Sequence, residues 1–277
     1  MTKYADLHIH TTASDGDYSP EAVVRAAKAQ GFSALAITDH DTLSGLAEAQ
    51  KISKEIGIEL LTGVEISTVH QEKEVHILGY LIDPTNEYLQ EKLNLMNNYR
   101  QERIAKMVKR LNDLGYEISL NRVYEISGQG AIGRPHVAKA LWEKGYIKNI
   151  KEAFLKLLSP GCPAYIPRFK ITPEEAIELI TTAGGIPVLA HPGINLDDDL
   201  IPYLKNTGLM GLEVWHPEHS SQMVEKYYKI ATQLDLLMTG GSDWHGNNKD
   251  ASFSLGVIKV DYYHVEKLKL KHIEIRK

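Results

Sequence analysis

The chain alternates short apolar runs with stretches whose apolar residues recur at helical spacing. Residues 5–9 and 34–38 have the length and composition of strands. Between them, Ser19 and Pro20 predict an N-cap and a first helical position for a helix over 21–30, which Gly31 closes. A second helix is predicted over 46–56 and ends at Gly57, and strands follow over 60–67 and 75–82. From 84 to 167 the pattern changes. Leu89, Leu93, Met96, Ile104, Met107, Val108, Leu111 and Leu114 recur at helical spacing as far as Gly115. Shorter helices are predicted over 135–144 and 150–158. Alternation then resumes with the capping box Thr172-Pro173-Glu174-Glu175, opening a helix to Ala183. Strands are expected over 186–190, 212–215 and 236–239, with a further one over 256–260.

Strands that alternate with helices argue for parallel βαβ units, and hence for an α/β barrel, up to one unit short of eight. The helical stretch interrupts this alternation. The expected division is therefore a barrel made of residues 1–99 and 169–277, with residues 100–168 inserted as a helical cap domain over its mouth. In such barrels the chemistry sits at the C-terminal ends of the strands.

The polar residues fall there. His8 and His10 end the first strand and, being two apart, share a face. Asp15 lies in the loop that follows. His40 ends the second strand, Glu65 stands near the end of the third, His76 is on the fourth, and His191 directly follows 186–190. Asp243 and His245 lie just beyond 236–239 and again share a face. Burying these imidazoles and carboxylates at one mouth is costly unless cations compensate them. A mixed histidine and carboxylate set suits zinc, manganese or iron. A catalytic zinc takes about three protein ligands plus water, so His8, His10, Asp15, His40, Glu65, His76, His191, Asp243 and His245 predict two or three divalent ions.

Composition narrows the partners. Lysine and arginine total 31 against 36 acidic residues, a net charge of −5, so wrapping of long duplex nucleic acid by a basic face is not expected. The single cysteine, Cys162, excludes disulfides and thiolate zinc sites, and is read as an incidental buried thiol. No apolar run is long enough to span a bilayer, and the first residues carry no leader pattern, so the expected location is the cytoplasm.

Several motifs carry a family resemblance. In order, His8-Ile9-His10, Thr38-Asp39-His40, Gly63-Val64-Glu65, Ala190-His191-Pro192 and Ser242-Asp243-Trp244-His245 resemble those of the PHP (polymerase and histidinol phosphatase) family. Ser14-Asp15-Gly16, Val75-His76-Ile77-Leu78-Gly79-Tyr80, Gly133-Arg134-Pro135-His136 and Glu213-Val214-Trp215-His216-Pro217 resemble its stand-alone phosphoesterases, the branch that includes ribonuclease AM and nucleotide phosphatases. The resemblance spans nearly the whole chain and implies a distorted (β/α)7 barrel. It implies a first metal on His8, His10, Glu65 and Asp243. The second would lie on Glu65, His76 and His191, and the third on Asp15, His40 and His245. Many family members have histidine where this chain has Asp15.

The activity so implied is hydrolysis of a phosphate ester: of a 3′,5′-bisphosphonucleotide, of a nucleoside monophosphate, or at the 5′ end of a short RNA. The expected mechanism is in-line attack by a hydroxide bridging the first two metals, with His191 and Asp243 at the reacting centre. The leaving oxygen is protonated by His216 or a metal-bound water. Arg134 and His136, at a helix start in the insert, are expected to bind phosphate, with His216 as a further substrate contact. Asp39 faces away from His40 and is expected to support rather than ligate. His219 is placed near the mouth, Arg168 and Lys170 in a solvated loop, and His70, His264 and His272 at the surface. The alternatives are a histidinol-phosphate phosphatase and a non-catalytic metal-binding module.

Overall fold

The computed structural model describes residues 2–277 except 129, 168, 170, 195 and 247–253. The elements are β1 (Tyr4–Asp6), α1 (Pro20–Ala29), β2 (Ala34–Ile37), α2 (Leu46–Ile56), β3 (Glu59–His70), β4 (Lys73–Tyr80), α3 (Glu87–Asp113), α4 (Leu120–Ser127), α5 (Arg134–Glu143) and α6 (Ile150–Ala153). A π-helical turn over Phe154–Leu158 follows. The chain continues through α7 (Pro173–Thr182), β5 (Ile186–Leu189), α8 (Leu200–Asn206), β6 (Gly211–Trp215), α9 (Ser221–Gln233), β7 (Leu237–Gly240), β8 (Val260–Asp261) and α10 (Tyr262–Ile275).

Local chemistry sets the first units. The Ser19 side chain accepts from the Ala22 amide, Pro20 opens α1, and Val23, Val24 and Ala27 turn into the core. At α7 the capping box forms: Thr172 accepts from the Glu175 amide and the Glu175 carboxylate accepts from the Thr172 amide.

The strands lie in the order β7-β6-β5-β4-β3-β2-β1-β8. The ring nearly closes because the chain beyond β1 pairs with the chain beyond β7. Leu7 N–H donates to Gly240 O (3.2 Å), Asp243 N–H to His8 O (2.8 Å) and His10 N–H to Trp244 O (3.0 Å). Gly241 makes this seam possible, since a Cβ there would stand 2.3 Å from the His8 nitrogen. The regular strand therefore ends at Asp6 rather than Ile9, because the chain exchanges neighbours on reaching the seam.

Two sequence expectations change. β4 is not a parallel unit; it runs antiparallel to both β3 and β5. Gln71 and Glu72, with φ of 47° and 65°, make the two-residue hairpin that reverses the chain. His76 accordingly reaches the mouth from the first half of its strand. The last strand is also shorter than 256–260, only Val260–Asp261, and runs antiparallel to β1.

Leu7, Leu61, Leu78, Tyr80 and Val188 form one buried cluster beneath the histidines, joined by Val265 and Leu268 of α10. α10 covers the end of the barrel opposite the histidines, where Tyr262 and Lys269 hold Glu59 at the start of β3. The 84–167 region has its own apolar cluster, from Ile104 to Ala164. α3 spans both regions: Leu89, Leu93 and Met96 pack with the barrel, and Ile104, Met107, Val108 and Leu111 with the helices that follow. The loop before α5, and α3 itself, reach the mouth. Ala131 N–H donates to Ala13 O (2.8 Å), and Arg100 on α3 holds Asp41, the residue after His40.

Candidate metal centre

Glu65 sits at the middle of the mouth and is only 1% exposed. Its Oε2 lies 3.3 Å from His8 Nε2, 3.1 Å from His10 Nε2 and 3.1 Å from His40 Nδ1. Its Oε1 lies 2.8 Å from His76 Nδ1 and 3.1 Å from His191 Nε2. Asp243 Oδ1 closes the other side, 3.4 Å from His8 Nε2 and 3.1 Å from His10 Nε2. Asp15 Oδ1 approaches His245 Nε2 at 3.3 Å and His10 Nδ1 at 3.8 Å. Every sequence-predicted ligand is thus in one cluster.

Three donor groups in it could hold an ion: His8, His10, Glu65 and Asp243; His40, Glu65 and His76; and His10, Asp15, His40 and His245. His10 and His40 each recur in two groups. His191 approaches Glu65 without joining any of these groups.

The donor atoms fit cations better than they fit each other. His8 Nε2, His10 Nε2, Asp15 Oδ1, His40 Nδ1, Glu65 Oε2 and His76 Nε2 are buried and lack a hydrogen-bond partner of sound geometry. Buried polar atoms are ordinarily satisfied, so a cluster of exceptions needs a cause. A divalent ion supplies it, because nitrogen lone pairs and carboxylate oxygens both donate to a cation.

The electrostatics agree. Burial favours neutral Glu65, but the surrounding imidazoles, with protonated His8 and His10 among them, hold its carboxyl well below the usual range. Asp243 is held down against burial by His8 and His245, and Asp15 by His245 and His40. Burial opposes a proton on His10, yet Asp243 and Glu65 raise it to about 10. His40 is driven the other way, to about 3, because burial together with His10 and His76 outweighs Glu65 and Asp15. Protons on the raised histidines stand where cations would.

The surroundings fix these donors. Asp39 accepts from Thr11 N (2.7 Å), Thr11 Oγ1 (2.8 Å) and Ser14 Oγ (2.6 Å), which shapes the loop carrying Asp15. His245 Nδ1 lies 2.8 Å from the Asp243 carbonyl; donation there leaves Nε2 facing Asp15. Asp41, His191 and Asp243 have φ of 53°, 26° and 49°, strained values that the packing around them maintains.

The other expected site residues divide. His216 is buried, accepts from the Glu218 amide at Nδ1 (3.2 Å), and places Nε2 3.4 Å from Asp243 Oδ2. His136 Nδ1 accepts from the Gly133 amide (2.9 Å) at the start of α5. Arg134 Nη2 lies 2.9 Å from both carboxylate oxygens of Glu74, two residues before His76 on β4. His219 is structural: Nε2 accepts from Gly193 N (3.1 Å) and Nδ1 donates to Val214 O (2.9 Å). His70, His264 and His272 are half-buried rather than exposed, His264 lying against Trp215. Cys162 is half-buried as well. Arg168 and Lys170 lie outside the described residues.

The apolar and polar pattern gives no role to Glu213, Asp6, Asp41 or Arg100. Glu213 and Asp6 are fully buried, Glu213 against His8 and His191, and Asp6 beneath the Ser242 amide (2.9 Å). Burial raises the Asp6 carboxyl to about 6 against the hydrogen bonds from Ser242, His8 and Gly256. An acidic residue inside an apolar strand run was the available signal for Glu213.

Known proteins share this sequence pattern and fold. The PHP domain family model matches residues 6–181. A 5′-3′ exoribonuclease of Haemophilus influenzae is 35% identical over 88% of this chain and 91% of its own. A 3′,5′-nucleoside bisphosphate phosphatase of Chromobacterium violaceum is 35% identical over 87% of this chain and 86% of its own. Among solved structures, a Bifidobacterium adolescentis protein whose metal-dependent phosphoesterase activity is itself inferred superposes with a TM-score of 0.90 and 36% identity, covering 96% of both chains. With its ligand cluster at the mouth of a nearly closed barrel and relatives matched over most of its length, the chain belongs to the PHP domain family.

Proposed function

We propose that this chain is a metal-dependent phosphoesterase that removes phosphate from nucleotides, as 3′,5′-bisphosphonucleotides or nucleoside monophosphates, or acts at the 5′ ends of short RNA. The observation carrying this reading is the set of buried, unpartnered donor atoms gathered around Glu65. We assign His8, His10, Glu65 and Asp243 to a first divalent ion, and Glu65, His76 and His191 to a second. Asp15, His40 and His245 hold a third, and manganese, zinc or iron(II) suits all three sets. When bound, such ions would supply a nucleophilic water near neutral pH and positive charge against the phosphate oxygens.

The protein's own groups do the rest. His191 and Asp243 flank the position of the reacting phosphorus. Because Glu218 donates to His216 Nδ1, the His216 proton sits on Nε2, beside Asp243 Oδ2. That N–H would hydrogen-bond the leaving oxygen, and the proton this oxygen takes up would come from water, since a neutral imidazole does not give up its last proton. Residues 100–168 form a cap domain on the barrel of 1–99 and 169–277 and carry the substrate contacts. Gly133 fixes the His136 tautomer, leaving Nε2–H for an anion at the start of α5. Arg134 is engaged by Glu74, so a substrate phosphate takes over from that carboxylate. Nucleotide substrates fit a cytoplasmic location, and among the described residues no helix is long and apolar enough to cross a membrane.

The test is phosphate release by protein stripped of metal and reloaded with manganese. The panel holds 3′,5′-bisphosphoadenosine, AMP, a 5′-phosphorylated short RNA and histidinol phosphate. A ribose 1,2-cyclic phosphate is added because one relative, 31% identical over 87% of this chain, is a phosphoribosyl 1,2-cyclic phosphate diphosphodiesterase of Eggerthella lenta. Turnover of a nucleotide or the RNA is expected to exceed that of histidinol phosphate. Inactivity throughout, or a preference for histidinol phosphate or the cyclic ester, overturns the reading.

A further inference from the structure

Glu213 is a carboxylate with no exposed surface, in the middle of β6. Its Oε1 is 3.0 Å from His8 Nδ1, and its Oε2 accepts from the His191 amide at 2.7 Å. Each oxygen thus has one partner, and the two partners belong to different metal sets. Burying a carboxylate is costly, so its presence there needs a purpose.

Donor and acceptor chemistry supplies one. The His191 amide can only donate. His8 presents Nε2 toward Glu65 Oε2 and Asp243 Oδ1, and can offer a lone pair there only if its proton is on Nδ1. Glu213 therefore faces two donors and must supply two acceptors on one rigid arm. Aspartate would be one methylene short. Glutamine has the length but only one oxygen. If that oxygen takes the His191 amide, its NH₂ group faces His8 Nδ1 and pushes the proton to Nε2, blocking the ligand atom. If the oxygen takes His8, the NH₂ group opposes the His191 amide, and the strained backbone at φ 26° loses its anchor.

We propose that Glu213 is a positioning residue that sets the His8 tautomer and the His191 backbone together, so that two metal sets are prepared by one buried carboxylate. This rests on the assignment of His8 and His191 as ligands. A carboxylate behind a metal-binding histidine is worth about 10–100-fold in metal affinity.

The experiment titrates manganese into chelator-stripped wild type, Glu213→Gln and Glu213→Ala at pH 7.5, reading free manganese by electron paramagnetic resonance. The unfolding of each metal-free protein is followed alongside. Glu213→Gln should unfold as cooperatively as wild type yet bind manganese about 10–100-fold more weakly. An affinity within about threefold of wild type overturns the proposal, because a purely structural carboxylate is replaced well by its isostere. A second measurement needs no variant: histidine nitrogen resonances of zinc-loaded wild type should show the His8 proton on Nδ1, and a proton on Nε2 refutes the role. Wild type that binds no metal sinks the metal-centre reading itself, whereas wild-type binding with an unaffected Gln variant removes only Glu213.

Discussion

At the scale of single residues, the site is defined by what its atoms lack. Histidine and carboxylate atoms around Glu65 are buried without hydrogen-bond partners, and in the absence of cations protons on His8, His10, His191 and His245 balance the acids. Those histidines keep their protons above the ordinary range, so a divalent ion must displace them. Raising the pH removes this competition, and manganese affinity should increase from pH 6 to pH 8, with proton release on binding. Calorimetry in buffers of different ionisation enthalpy reads both, and an affinity flat across that range counts against ligation by these groups. Arg134→Ala should lower kcat/KM for nucleotide substrates by about 10–100-fold while leaving metal content unchanged. Lost metal in that variant would show instead that Arg134 supports the metal centre through Glu74 and does not bind substrate. The clustering of the histidines was legible because strand ends and period-two spacing aim side chains at one mouth. Glu213 was marked only as an acid within an apolar run, a signal without periodicity that assigns it no partner. The Arg100–Asp41 pair was not legible, since its partners lie 59 positions apart.

At the scale of elements, the helices were read more securely than the strand directions. Ser19, Pro20 and the Thr172–Glu175 box announce their helices because capping is a contact between near neighbours. The reversal of β4 left no comparable mark. A two-residue hairpin with both φ values positive is ordinarily written with Asn and Gly, and this chain has Gln71 and Glu72 there. Replacing that pair with Asn-Gly relieves the left-handed strain at both positions. It should stabilise the metal-free protein by roughly 1 kcal/mol without altering metal content. Thermal unfolding measures the first and elemental analysis the second. A destabilised variant would mean that the Gln71 and Glu72 side chains carry contacts worth more than the strain.

At the scale of the whole molecule, the barrel and the helices of 84–167 share α3, and the clustered histidines and carboxylates come from strands all round the ring. A cation that ties those strands together binds only the folded state. At a metal concentration 100-fold above its Kd, this linkage adds about 2.7 kcal/mol. For a chain of this size that is a rise of about 5–10 °C in Tm, lost on adding a chelator. An unchanged Tm in a scan with and without manganese would show that the donors do not bind it.

The seam has a last consequence. The peptide groups that fasten the ring at Leu7–Gly240, His8–Asp243 and His10–Trp244 belong to the stretches that bear His8, His10 and Asp243. Wherever that joint gapes, the donors part with it, so an ion seated among them acts as a rivet on the barrel wall. Deuterium uptake at the amides of Leu7, His10 and Asp243 should therefore slow far more on loading with manganese than uptake along α9, which bears none of the proposed ligands.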